Sequence, residues 1–381
     1  MSTTTLRVIL DQAIVPTADG IGRYTVELTR ELIACAPRGC DVAGIVPASP
    51  PAEYDRLLEA LPGLTTLHKS ALDRRQLAAA WQHGFTRLPG TGMVHAPSLF
   101  APLSRHDRVN NPGDQIVVTI HDTVPWSHPE TLTPRGAAWH RAMAKRAERY
   151  ADAIVVPTHA VAEQLAAILD LGERVRVIGG APSSDLVPGP DASARAAALD
   201  LADRYLVWVG TIEPRKGIAE LITALSLPAA PDLPLVIVGR PGWGGIDVET
   251  LAREAELDEG RVRLLGGLDD ADLAAVLERA TVAVVPSLAE GFGLPLLEAM
   301  SLGVPVVHSD DAALVEVADG AGLAVALAPL DGYPQRLAEA LRGVVDDPAL
   351  AAELAVRGRD RAGAYSWRDS AEKTWQLHAD L

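Results

Sequence analysis

At 381 residues, 48% hydrophobic and 22% charged, the chain is long enough for two hydrophobic cores and too apolar to be disordered. Residues 1–180 carry 18 basic and 18 acidic side chains, so the whole net charge of −16 falls on residues 181–381 and argues against nucleic-acid binding there. Two cysteines, Cys35 and Cys40, suit a reducing compartment and give too few ligands for a zinc site. No run of 18 apolar residues is uninterrupted, and MSTTTLRVILDQ lacks the basic and apolar regions of a leader. A cytoplasmic protein is expected.

The N-terminal half opens with a predicted strand at Leu6–Leu10. Asp19-Gly20-Ile21-Gly22-Arg23-Tyr24 follows as a glycine loop leading into an amphipathic helix through Ile33, with Tyr24, Leu28 and Leu32 at four-residue spacing. Thr25 follows and no third glycine does, so a nicotinamide site is not expected. Asp41–Pro47 predicts a strand, Tyr54–Leu61 and Arg74–Phe85 helices, and Met93–Ala96 a short strand before a loop to Gly113. Ile116–Ile120 predicts a strand that delivers His121 at its C-terminal end, where an open α/β sheet presents groups to ligands. A core histidine at a strand end is the alternative. Pro134–Tyr150 predicts a helix with an apolar stripe of Trp139, Met143, Ala147 and Tyr150. Arg141, Lys145 and Arg149 repeat every four residues on another face. That face is either simply solvated or a peripheral contact for acidic headgroups or a phosphorylated acceptor. Ala153–Val156 predicts a strand, His159–Leu169 a helix and Val175–Ile178 a strand, and GGAPSSDLVPGP (179–190) reads as a linker.

The C-terminal half restarts the alternation. Tyr205–Val209 predicts a strand, followed by the loop Gly210 to Gly217 and a helix to Leu225. Leu235–Val238 predicts a strand before Gly239-Arg240-Pro241-Gly242-Trp243-Gly244, and Val262–Leu265 one before Gly266-Gly267. Asp270 or Asp272 can cap a helix at Leu273–Ala280, so the D-x-D triplet there reads as a helix start rather than a metal site. Val282–Val285 predicts a buried strand ending at Pro286-Ser287. Glu290-Gly291-Phe292-Gly293 then forms a turn, Pro295 sits in a first helical turn, and Gly303 supplies a left-handed cap before a strand from Val304 to Val307. Glycines at a helix start admit an anion to the backbone, and Arg215 and Lys216 supply two cations in a second glycine-flanked loop. Glu290 is placed beside such an anion rather than against it. Helices are predicted at Pro334–Val345, Pro348–Arg361 and Arg368–Ala379, the last begun by Ser366-Trp367. The expected organisation is a domain at 1–180, a linker at 181–190, a second domain at 191–365 and a terminal helix at 366–381.

E-G-F-G-L-P-L-L-E-A-M over Glu290–Met300, with G-V-P-V over Gly303–Val306, resembles the E-x7-E signature of family 4 of the retaining GT-B glycosyltransferases, especially the bacterial mannosyltransferase-like group 1 members. The likeness spans nearly the whole chain and is strongest at 205–217, 235–244 and 282–308. The resemblance implies an α/β GT-B fold: two Rossmann-like domains with parallel sheets facing across a cleft, and a C-terminal helix crossing back to the N-terminal domain. It implies a metal-independent, cofactor-free, retaining transfer of a hexose from a nucleotide sugar, GDP-mannose favoured. The acceptor would be a hydroxyl of a glycan, a lipid-linked or cell-envelope precursor, or a small molecule. Glu290 would hold donor-sugar hydroxyls, Glu298 the ribose, and Arg215 and Lys216 the diphosphate. The backbone of Gly291, Phe292, Gly293 and Leu294 would cradle sugar and phosphate. Gly239, Arg240 and Leu268 would lie near the base, with Gly210 in the donor loop. The Gly20-Ile21-Gly22 loop would close over the diphosphate, and His121 would lie near the donor sugar. The chain departs from the pattern at Gly180-Ala181-Pro182, Val276, His308 and Leu314-Val315-Glu316. Two other readings are a nucleotide-sugar epimerase on the same fold and a binding protein without activity. The intact Glu290, Glu298, Arg215 and Lys216 argue against the latter.

Overall fold

The computed structural model describes residues 4–15, 20–85, 92–108, 110–111 and 113–381. Asp19 of the expected glycine loop lies outside them, as does part of the expected loop before Gly113. Two units organise the chain: Met1–Ser127 with Pro134–Gly180 and Ser366–Leu381, and His128–Thr133 with Ala181–Tyr365.

The first unit holds β1 (Thr4–Ile9), α1 (Gly20–Ala34), β2 (Cys40–Val46), α2 (Pro51–Ala60), β3 (Leu67–Lys69), α3 (Arg74–His83), β4 (Met93–Ala96), β5 (Gln115–Thr119), α4 (Val124–Ser127), α5 (Pro134–Tyr150), β6 (Ala153–Val156), α6 (His159–Ala166) and β7 (Val175–Val177). Its sheet runs β3-β2-β1-β4-β5-β6-β7, with every pair parallel. Every residue of β4, β5 and β6 is buried, as expected of parallel strands covered on both faces.

The second unit holds α7 (Ala192–Ala198), β8 (Leu206–Val209), α8 (Ile218–Leu225), β9 (Leu235–Val238), α9 (Val248–Glu254), β10 (Val262–Gly266), α10 (Asp270–Glu278), β11 (Val282–Val285), α11 (Leu294–Ser301), β12 (Val306–Ser309), α12 (Ala312–Ala318), β13 (Leu323–Val325), α13 (Tyr333–Asp346) and α14 (Pro348–Ala362). Its parallel sheet runs β10-β9-β8-β11-β12-β13. The strand order reverses between β8 and β11, and an open α/β sheet binds ligands beyond the strand ends at such a point.

The last helix, α15 (Trp367–Asp380), belongs to the first unit and packs on α1. Ser366 caps it, the Trp375 indole N–H donates to the Leu32 carbonyl (3.0 Å), and the Ser370 hydroxyl donates to the Gly179 carbonyl (2.8 Å). His378 and Gln115 bond reciprocally: Gln115 Nε2 donates to the His378 carbonyl (3.1 Å) and His378 Nδ1 donates to Gln115 Oε1 (2.9 Å). His95 lies edge-on to His378 at 5.6 Å between ring centroids. Both histidines are buried, and among the described residues neither ring nitrogen of His95 has a hydrogen-bond partner. Burial lowers His95 to about 4 and holds His378 well below its ordinary value.

Several expectations need correction. Gly20-Ile21-Gly22 is not a loop but the first turn of α1. Glycine costs a helix little there, because first-turn N–H groups have no intrahelical acceptor in any case. Thr25 and Thr29 then bond back to the carbonyls of Ile21 and Thr25, within the helix. The cap of α10 is Asp269, whose side chain accepts from Asp272 N at 2.8 Å; Asp272 instead pairs with Arg195. The α5 cations Arg141, Lys145 and Arg149 need no correction, being exposed as the solvated-face reading expects. Arg141 Nε donates to the Pro125 carbonyl (2.7 Å), Lys145 pairs with Glu148 (3.0 Å), and Arg149 lies over the Tyr150 ring.

Candidate active site

Two loops meet at the β8/β11 reversal. The loop after β8 carries Arg215 and Lys216 in a short 3-10 turn closed by Gly217. Gly217 has φ +68°, and a Cβ there would collide with the Pro286 carbonyl at the end of β11. A glycine at this position is therefore what lets the two loops touch. Leu288 N also donates to the Arg215 carbonyl at 2.8 Å, locking one loop to the other.

This contact brings Glu290 onto the two cations. Lys216 Nζ lies 2.5 Å from Glu290 Oε1, and Arg215 Nη1 lies 3.4 Å from Oε2. Ser287 Oγ donates to Glu290 Oε1 at 2.8 Å, and Ser309 Oγ donates to the Ser287 carbonyl at 2.5 Å. Arg215 Nε also pairs with Glu213 at 3.2 Å. Glu290 is 8% exposed. Burial pushes its carboxyl up, but Lys216 and Arg215 outweigh that and hold it below its ordinary value. Burial draws the Lys216 ammonium down, against the pull of Glu290. A buried ion pair with hydroxyl support is the arrangement that keeps both charges in place.

α11 begins at Leu294, with Gly293 as its cap at φ +89° and Pro295 in its first turn. Among the described residues, the N–H groups of Phe292, Gly293 and Leu294 have no acceptor. They form a set of donors at a helix start, beside the two cations. Phe292 packs edge-on against Tyr365, and Glu298 is buried within α11.

The remaining site candidates of this unit divide in two. Gly210 and Gly239 end β8 and β9 in close approach, since a Cβ on Gly239 would strike the Gly210 carbonyl. Arg240 lies against Gly267 and is exposed. Leu268, by contrast, packs on the hydrophobic core. In the first unit, His121 follows β5, and its Nε2 donates to the Pro97 carbonyl at 2.7 Å. A carbonyl only accepts, so the proton is on Nε2. Tyr24 lies edge-on to His121 at 4.8 Å. Burial raises the Tyr24 hydroxyl to about 12, with Thr119 opposing. Gly20 and Ile21 share the first turn of α1 with Gly22, one turn before Tyr24.

A cavity of about 970 Å³ also opens in the first unit, lined by Arg7, His106, Arg108 and Asp152 among others. Gly92, Gln115 and Ala151 on its wall lie at the starts of β4, β5 and β6, the end of the sheet opposite His121. The Asp152 carboxylate there is consumed by His106, Arg108 and the Ile116 N–H.

Ser287, Ser309, Glu213 and Asp311 also belong to the Glu290 cluster but went unread in the sequence. Ser287 lies just past β11 and three residues before Glu290, a spacing that marks it in the sequence. Nothing local marks Asp311, which comes from the next strand–helix unit and accepts from Glu290 N at 3.4 Å.

Residues 18–181 match glycosyltransferase family 4, and residues 191–361 match glycosyl transferases group 1. Sucrose-phosphate synthase from Thermosynechococcus elongatus shares the fold at a TM-score of 0.75 and 22% identity, over 99% of each chain. Anabaena HepE, solved in complex with UDP-glucose, does so at a TM-score of 0.73 and 20% identity, over 99% of this chain and 100% of that one. The architecture is therefore that of the GT-B glycosyltransferases. O-antigen chain mannosyltransferase B of Escherichia coli is 30% identical over 389 residues, covering 93% of this chain and 94% of its own. The chain belongs to the family 4, group 1 glycosyltransferases, and it is an enzyme of sugar transfer.

Proposed function

We propose that the protein transfers a hexose, mannose by preference, from a nucleoside-diphosphate sugar to an acceptor hydroxyl, with retained anomeric configuration and without a metal. The observation that carries this reading is the Glu290–Lys216–Arg215 cluster beside the unpaired donors at the start of α11. A departing nucleoside diphosphate needs its negative charge met by groups already in place. Arg215 and Lys216 supply two fixed positive charges, and the Phe292–Leu294 N–H groups supply dipoles. Glu290 accepts from sugar hydroxyls, and Glu298 serves the ribose. The bond between C1 and the phosphate oxygen breaks while the acceptor oxygen bonds C1 on the same face. The acceptor proton passes to the leaving phosphate, so no protein base is required. For His121, whose Nε2 bonds the Pro97 carbonyl, the resemblance supports a contact to the donor sugar.

Mannose rests on the resemblance to mannosyltransferases and on the likeness to the Escherichia coli mannosyltransferase, and GDP on the resemblance alone. The UDP-glucose complex of Anabaena HepE keeps UDP among the bases to be tested. The test is thermal stabilisation by GDP, UDP, ADP and dTDP, followed by the matching sugar nucleotides. GDP and GDP-mannose are expected to raise the melting temperature most. Stabilisation by none of the four diphosphates would sink the donor-site reading.

A further inference from the structure

The Glu290 loop is tied to the neighbouring strand as well as to the cations. β11 and β12 are adjacent, with Val285 opposite His308, so the segments that follow them emerge side by side. Two links join them: the Ser309 hydroxyl to the Ser287 carbonyl, and Glu290 N to Asp311 Oδ2. The other oxygen of Asp311 caps α12, accepting from Ala313 N at 3.0 Å and Leu314 N at 3.3 Å. The helix thus fixes the half-buried Asp311 carboxylate, and that carboxylate holds the backbone of Glu290.

The arrangement sets two carboxylates against each other. Among the described residues, the charged and titratable groups around Asp311 are Glu290 after β11, Arg215 and Lys216 bonded to Glu290 from the loop after β8, His308 on β12, and Asp310 just after that strand. Asp310 turns to the Leu327 N–H, and His308 Nδ1 to the Ser309 carbonyl. Arg215 is shared with Glu213. With Asp311 ionised, two cations therefore meet three carboxylates.

Resting on the donor-site reading above, we propose that Asp311 is a positioning residue for Glu290 whose negative charge opposes binding of the donor diphosphate. Burial, and then the charge of Glu290, raise Asp311 to about 6, so this charge changes near neutrality. The sign follows. Asp311 contributes stability that is complete below its ordinary 3.8 and is lost as the pH rises through about 6. Protonation leaves the Ala313 and Leu314 caps in place and removes a charge that an incoming diphosphate would meet.

Asp311→Asn separates the two roles, because asparagine keeps an acceptor for the helix N–H groups and loses the charge. Asp311→Ala loses both. Melting curves of ligand-free protein between pH 5 and 8 form one arm. Calorimetric titration with GDP-mannose and UDP-glucose at pH 5.5 and 7.5 forms the other. Their diphosphates are diesters that do not titrate in this window. Wild type is expected to bind the better probe about tenfold more tightly at pH 5.5 than at 7.5. Asp311→Asn should bind at pH 7.5 as wild type does at 5.5, and Asp311→Ala should bind more weakly than Asp311→Asn. Asp311→Asn should also melt above wild type at pH 7.5, with the gap narrowing toward pH 5. The same pH dependence in wild type and Asp311→Asn, in either arm, would overturn the proposal. Failure of both sugar nucleotides to bind wild type, with the melting gap intact, would instead overturn the donor-site reading and with it the ligand half of the proposal.

Discussion

The two units bury polar groups in opposite ways. Under α15 the first unit encloses His95, His378 and Gln115, all uncharged, with His95 at 0% exposure. At the β8/β11 reversal the second unit encloses Lys216 and Glu290 as an ion pair. The first arrangement joins a helix to a sheet and is stable only while its imidazoles stay neutral. The second keeps two charges that, on the proposed donor site, a ligand would meet. Buried polarity is neutral in one unit and charged in the other, and the pH at which acid removes its contribution tells them apart.

The largest expected effect tests the charged side. Lys216→Ala and Glu290→Ala should each lower turnover by ~10²–10³, the usual loss for one group that stabilises transition-state charge. Circular dichroism should report an intact fold in both. Near-normal turnover in both would remove the cluster from the chemistry. Next comes the neutral side: ending the chain after Tyr365 deletes α15 and uncovers the face that Trp375 and Leu377 bury. A lower melting temperature or poorer expression is expected, and an unaffected truncation would make the helix dispensable.

The smallest effect is the most discriminating. The stability owed to neutral His95 is complete above its ordinary 6.5 and is lost progressively as the pH falls toward about 4. The 2.5-unit difference amounts to about 3 kcal/mol by pH 4. Glu290 responds in the same direction but at lower pH: its stability is present above its ordinary 4.5 and is lost only as the pH falls through its lowered value. Hydrogen exchange between pH 6.5 and 4.5 should therefore show the first unit loosening before the second. His95→Leu should flatten that response, and an unchanged acid profile in this variant would clear the histidine pair.

What could be read in the sequence follows the range of the physics. Val282–Val285, Pro295 and Gly303 act through local backbone preferences, and the strand, helix start and left-handed cap stand where those preferences put them. β3 and β13, three residues each with mixed burial at sheet edges, carry too little pattern to be seen. α1 begins at Gly20, earlier than its glycines suggest in the sequence, because a first helical turn tolerates them. Arg215, Lys216 and Glu290 were each legible as site residues. Their pairing across 74 and 75 residues was not, since it depends on β8 lying next to β11. Asp311 and the buried His95–His378 contact are tertiary in the same sense, and no spacing announces them.

The place of α15 has one more consequence. Residues 134–180 and 366–381 both belong to the first unit, so residues 181–365 are topologically an insertion within it. The second unit is, apart from His128–Thr133, one continuous cassette, whereas the first is a split host. Exchange between relatives is therefore asymmetric: the cassette at 181–365 can be replaced in a single piece. Residues 1–180 moved alone would leave behind the helix that closes them.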